Sequence, residues 1–338
     1  HFFEIKVLDR GDTRGGGYSV GHIVNFSTAF SEGFAAVAIP AAVLDDWNLK
    51  VANNKAYDSN LEIEPIYEIA KETYQFDSVS SSTDLNGREY NYQRYKVISP
   101  YEHSSVALYM LSFLSDRPST ERTINLYKEI GPQGLLHALN NISTQPALLS
   151  LYSLSTELKV LYPDFNAEIS NLEEKLAFSA TDMWGTNRTD VDEQFKMYAY
   201  NNDLLPSETY LPIYQSMALN DISTLCFNGG FAPNNQYRPG TIRHAKFTAL
   251  NDVTYVINID KAVDIKGDFH FYSIVIKENG NDIPGIVILY SNSGSRIEFA
   301  ATAGQTYVIQ VYGNNYSQKV FNINETICTD IKIATSIN

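Results

Sequence analysis

Basic residues are scarce in this sequence. It carries 25 Lys and Arg against 39 Asp and Glu, a formal net charge of −14. Nucleic acid is thereby excluded as a partner, because holding phosphates requires clustered Lys and Arg. Long apolar runs are also missing. The best candidate, "FAAVAIPAAVL" at 34–44, is interrupted by Pro40 and falls short of the roughly 18 residues a membrane span needs. No N-terminal leader pattern is visible, so a secretion signal has been removed or the chain starts inside a longer precursor. Cysteine is nearly absent: Cys226 and Cys328 lie about a hundred residues apart, and no Cys-x-x-Cys metal spacing exists. One disulfide closing the C-terminal third is the preferred reading, with two buried thiols as the alternative; a disulfide implies an oxidising compartment. What the chain does have is 44% hydrophobic residues and 23 tyrosines over 338 positions, enough for two ordinary cores. Five Asn-x-Ser/Thr sequons, at Asn25, Asn141, Asn187, Asn315 and Asn324, matter only in a eukaryotic host.

The apolar period changes partway along. From about 20 to 215 the spacing is helical. In "ISPYEHSSVALYMLSFLSD" (98–116), Ser99 reads as an N-cap, Pro100 as the first helical residue and Glu102 as the capping-box partner. Val106, Tyr109, Met110, Phe113 and Leu114 then make one stripe. Segments 119–131, 132–141, 145–162 and 165–180 read as further helices, and 78–95 as a long polar loop with room for a short hairpin. After about 238 the period drops to two. Val253, Tyr255, Ile257 and Ile259 share one face of "DVTYVINID", and Tyr307, Ile309 and Val311 one face of "QTYVIQVYG". With 268–276 and 284–291 between them, separated by Gly/Asn/Asp turns, these strands predict an antiparallel sandwich. The Gly/Pro/Asn-rich stretch 226–241 reads as a boundary.

Most chemical motifs fail on spacing. "GDTRGGGYSVG" (11–21) matches neither dinucleotide nor P-loop patterns and reads as a connector. No Gly-x-Ser-x-Gly elbow occurs, and the helical half has no cysteine nucleophile. The acidic pairs at 45–46 and the Asp residues near 251–268 would bind Ca²⁺ only weakly, solvated turns being the default. His22 and His103 are candidates for recruitment to a remodelled site, against the commoner surface role. His137, His244 and His270 sit in patterned helix or strand and need no function.

Two segments resemble known families. "HAKFTALNDVTYVINI", "VILYSNSGS" and "ATAGQTYVIQVYG" within 238–327 resemble the pre-peptidase C-terminal domain, a small sandwich appended to secreted bacterial peptidases. The first half resembles secreted zinc peptidases that carry a His-Glu-x-Gly-His helix, an Asp-x-x-Gly-Gly segment and then Ala-Phe-Ser-Glu-Gly-Phe. Here Asp12, Gly15 and Gly16 precede Ala29-Phe30-Ser31-Glu32-Gly33-Phe34 at the family's spacing. "SPYEHSSVALYMLSFLSD" and "ETYLPIYQSMALNDISTLC" resemble later segments of the same proteins. Tyr18 stands where the family has a His, and His103 where it has a Glu.

That resemblance makes His1 the second histidine of HExxH and Glu32 the third ligand. Two His four residues apart share one helix face and can reach one Zn²⁺, and the intervening Glu activates its water. The sequence begins at the fifth position of that motif, so the first His and the catalytic Glu are not in it. Glu4 lies downstream of His1 and cannot replace that Glu. The expectation is therefore a multidomain α+β chain. A mainly α-helical, zincin-like domain (1–215) precedes an antiparallel β-sandwich (221–338). The whole is secreted, of metallopeptidase descent and catalytically incomplete, with no cofactor of its own and Zn²⁺ only in a full-length homologue. A second expectation, from another class, is a non-enzymatic extracellular structural or adhesive protein, a filament subunit that partners other extracellular proteins or copies of itself. Low charge and exposed strands suit that role.

Overall fold

A computed structural model describes residues 26–34, 79–83, 89–93, 100, 103–114, 126–176, 178–186, 213–228, 242–260, 262–263, 269–283, 287–291, 294–314 and 326–336. Five helices lie in the first part: α1 (26–34), α2 (His103–Leu114), α3 (Gly131–Ile142), α4 (Leu151–Leu161) and α5 (Asn166–Lys175). A hairpin, β1 (Val79–Thr83) and β2 (Glu89–Gln93), occupies the polar loop as its composition allowed.

The helix starts differ from those the sequence suggests. α2 is described from His103, Pro100 is buried in a turn ahead of it, and the expected cap Ser99 and its partner Glu102 lie outside the described residues. Of the helix expected over 119–131, the described residues 126–130 form a single turn, closed by Ile130 N–H to the Leu126 carbonyl at 2.9 Å. Gly131, at φ +64°, breaks the run there, and a proline at the start of α3 resumes it. α4 starts at Leu151 because Ser150 and Ser153 form a reciprocal capping box, each hydroxyl accepting the other's backbone N–H. The helices bury a common apolar cluster that includes Val106, Tyr109, Phe113, Leu139, Leu154 and Leu158.

The strands form two sheets. One has the order β10 (Val287–Ser291), β11 (Gly294–Ala301), β6 (Val253–Asp260), β13 (Thr326–Thr335), β4 (Ile222–Asn228). The other runs β3 (Tyr214–Ser216), β5 (Ile242–Thr248), β12 (Thr306–Asn314), β8 (Phe269–Glu278), β7 (Ala262–Val263), with β9 (Asn281–Asp282) on β8. Pairing is antiparallel throughout except for β3 against β5. A second apolar cluster lies between the sheets, with Tyr255, Ile257 and Ile259 meeting Phe247, Ile276, Tyr307 and Ile309. Mixed α and β structure with a sandwich-like pair of sheets is thus the observed architecture. Val253, expected on the buried face, is 39% exposed because it opens β6 directly after the exposed turn at 250–252. Residues 226–228 of the expected boundary segment belong to β4.

Strands β5 and β12 are buried on both faces. Ala245, Phe247, Tyr307, Ile309 and Val311 point between the sheets. On the opposite face, Val308 and the first residues of the sandwich, Ile213 and Tyr214, belong to the helical cluster. The helices therefore form a third layer over the β3–β5–β12 face.

Candidate functional site

The described stretch of helix α1, "FSTAFSEGF", is almost wholly enclosed. Phe26, Ala29, Phe30 and Phe34 are buried, and so are Ser27, Thr28 and Ser31. Glu32 is the residue of α1 that is not fully buried. Residues of the helical core pack against this segment on nearly every side.

The clamp at its start is aromatic. The Phe26 ring lies 5.1 Å from that of His244 on β5 and 5.8 Å from that of Tyr214 on β3. Tyr214 and His244 are themselves 5.7 Å apart, and Trp184 meets Tyr214 edge-on at 5.0 Å. Lys246 Nζ sits 4.5 Å over the Trp184 ring. Tyr214 also accepts the Leu148 backbone N–H on its hydroxyl at 3.0 Å, tying the loop before α4 to the same cluster. Glu32 is six residues beyond Phe26, about 9 Å further along the helix axis. Its carboxylate is thus carried by a helix that contacts the sheet through Phe26 and whose described residues are embedded in the helical core.

His244 behaves as a packing residue rather than a ligand or base. Burial, then the charges of Arg243 and Lys277, pushes it down to about 3. The Gln310 amide nitrogen, 3.2 Å away, donates to its Nε2, which leaves the ring proton on Nδ1. His137 is exposed on α3. His103 opens α2 and His270 lies on β8, whereas His1, Glu4, Asp12, Gly15, Gly16, Tyr18, His22 and the acidic pair at 45–46 lie outside the described residues. Asp252 accepts the Ala303 N–H at 2.7 Å and so closes a turn.

A zinc ion needs three protein ligands converging on one point. Among the described residues no group of three His, Cys, Asp or Glu side chains converges in that way. Of the two ligands the resemblance implies, the structure describes Glu32 alone, which offers an oxygen donor on a rigid helix. The described residues therefore do not by themselves fit the ion, and no catalytic step follows from them.

A second polar cluster escaped the sequence reading. Tyr109 on α2 donates to Ser155 Oγ on α4 at 2.7 Å, and Ser155 donates to Glu173 Oε1 on α5. Lys159 Nζ lies 2.7 Å from Glu173 Oε1 and 2.8 Å from Oε2, and also donates to the Ala180 carbonyl at 3.0 Å. The Ala180 N–H returns a bond to Oε2. Tyr109 and Ser155 are completely buried and Glu173 is 2% exposed, so Ser155 has no path to a substrate. Burial raises Tyr109 well above the ordinary tyrosine range; the Ser155 bond opposes this and the Glu173 charge adds to it. This network joins three helices and is structural. Its trace in the sequence is a charge inside an apolar stripe: Ile169, Leu172, Glu173 and Leu176 fall on one face.

No model of a known protein family matches the chain, and no curated protein matches it. Among solved structures, the chain is similar to the pre-peptidase C-terminal domain of a Bacillus anthracis collagenase. That match has 13% identity over 36% of this chain and 93% of that one, with a TM-score of 0.25. It is also similar to Aeromonas hydrophila PliG, a periplasmic inhibitor of g-type lysozyme, with 14% identity over 36% of this chain and 96% of that one and a TM-score of 0.20.

Proposed function

We propose that this chain is an extracellular protein of metallopeptidase descent, in which α1 presents Glu32 as the remnant of a zinc-binding carboxylate. The observation behind this reading is the placement of Glu32. Among the described residues of α1, the one left partly open is the glutamate of the Ser-Glu-Gly-Phe segment. A carboxylate on so constrained a helix has a fixed position, which is what a metal ligand requires. With His1 as the other donor, the resemblance names two protein ligands within residues 1–338, where zinc needs three. The expected behaviour is weak zinc binding and no chelator-sensitive peptide cleavage. Secretion is supported by the acidic balance, the low charge content and the two cysteines.

The test is metal analysis after dialysis, alongside a casein cleavage assay. Substoichiometric zinc and no cleavage are expected for residues 1–338. Any zinc that residues 1–338 retain is expected to be lost in Glu32→Ala. Stoichiometric zinc that survives Glu32→Ala would show that the ion sits elsewhere.

A second reading, a self-associating structural protein, is favoured by β4. That strand terminates its sheet, and Ile222 on it is 65% exposed. Light scattering across a concentration series decides it: a strict monomer removes this reading.

A further inference from the structure

β4 and β13 pair antiparallel with Cys226 directly opposite Cys328. Directly opposed residues in such a pair have Cα atoms about 4.5–5.5 Å apart. A disulfide tolerates Cα separations of about 4.4–6.8 Å. The alternation along both strands assigns the pair to a face. On β13, Thr329, Ile331 and Ile333 are buried while Asp330 and Lys332 are exposed. On β4, Leu225 is buried while Ile222 and Thr224 are exposed. Cys226 and Cys328 therefore fall in the outward set. The neighbouring cross-strand pair of that set, Thr224 and Asp330, is joined by a hydrogen bond of 2.6 Å between side chains, so opposed residues on this face can reach one another.

We infer that Cys226 and Cys328 form a cross-strand disulfide on the outer face of the sandwich, and that it acts as a redox-operable latch on β4. β4 is the strand by which the chain enters this sheet, and it lies at the sheet's edge beyond β13. The bond would fasten it to the last described strand, closing a loop of about a hundred residues. Formation proceeds by exchange with a low-molecular-weight disulfide such as oxidised glutathione. One protein thiolate attacks a glutathione sulfur and expels one glutathione thiolate. The second protein thiolate then attacks the mixed disulfide and expels the other. Two protein thiols are oxidised, one glutathione disulfide is reduced to two thiols, and the protons pass with them. The outward face admits the reverse attack by a dithiol without unfolding. Once the bond opens, β4 is held at this edge by its pairing with β13, the Thr224–Asp330 hydrogen bond and the burial of Leu225.

The test uses the whole chain refolded in a glutathione couple. Intact mass after alkylation in denaturant is expected to show no adducts and a chain two hydrogens lighter than the reduced form. Incubating the native protein with dithiothreitol should then allow two adducts. Backbone amides of 222–228 should exchange roughly tenfold faster after reduction, with β6 and β11 unchanged. The Cys226→Ser, Cys328→Ser double variant should show the fast exchange without reductant. Two adducts before reduction, a covalent dimer on a non-reducing gel, or a bond that dithiothreitol opens only in denaturant would each overturn the inference.

Discussion

Replacing Lys159 by Met tests whether the Tyr109–Ser155–Glu173–Lys159 network holds α2, α4 and α5 together. The variant keeps the length and apolar stem of the side chain but removes, among the described residues, the cation on Glu173, a carboxylate that is 2% exposed. Glu173 would keep two neutral donors, the Ser155 hydroxyl and the Ala180 N–H. Breaking a buried ion pair from one side typically costs about 3–5 kcal/mol, because the abandoned charge stays desolvated. Lys159 is itself 19% exposed, so water can partly replace it, and the lower end, about 3 kcal/mol, is expected. On a cooperative unit of 150–250 residues that lowers Tm by roughly 6–12 °C. Glu173→Gln should cost less, about 1–2 kcal/mol, since Lys159 retains the Ala180 carbonyl and access to solvent. The double variant leaves no charge stranded and should cost no more than Glu173→Gln alone, a coupling of about 3 kcal/mol. Urea denaturation followed by far-UV circular dichroism reads all three. A Lys159→Met cost under about 1 kcal/mol, or strict additivity in the double variant, would refute this assignment.

His244 and two glycines give further expectations. With its pKa pushed down to about 3, native His244 stays neutral while the unfolded chain takes up a proton near pH 6.5. The unfolded state then binds more protons, so stability is full above pH 6.5 and falls as pH drops toward 3. Between pH 6.5 and 5 the loss is about 2 kcal/mol, and His244→Gln should remove that slope when urea midpoints are compared across pH. Gly185 has φ +61°, and an added Cβ would lie 2.7 Å from Ile213 Cδ1 and 3.0 Å from Tyr152. Gly131 has φ +64° with nothing within 4 Å. Both Ala variants carry backbone strain, but Gly185→Ala adds overpacking. It should lower stability by about 1–3 kcal/mol more than Gly131→Ala, and equal losses in a thermal melt would show that the site relaxes freely.

The strands were legible because a half-buried strand writes its period directly into sequence. Tyr255, Ile257 and Ile259 alternate with polar residues, and so do Tyr307 and Ile309 with Gln310. The same logic misreads β5 and β12, whose other face is covered by helices distant in sequence: nothing within "IRHAKFT" signals that His244 will be enclosed. Helix existence was legible from the apolar stripes, whereas the start of α4 depended on which of several Ser residues won the cap. Glu32 was singled out only by the Ser-Glu-Gly-Phe resemblance, for a helix-borne glutamate carries no local mark of a ligand role. The helical polar network was hidden for a related reason. Glu173 sits in "NLEEK", a string that reads as a solvated face until Ser155 and Lys159 are brought over it.

The sharing of one apolar wall has a practical outcome for anyone dissecting this molecule. Val308 and Tyr214 complete the interior of the helical part, and Phe26 seats itself on His244 from the far side. A cut between the two parts would strip the cover from β5 and β12 and leave greasy surface on both fragments. The C-terminal strands thus serve as the floor on which α1 stands, and swapping them for another sandwich would require rebuilding that floor residue by residue.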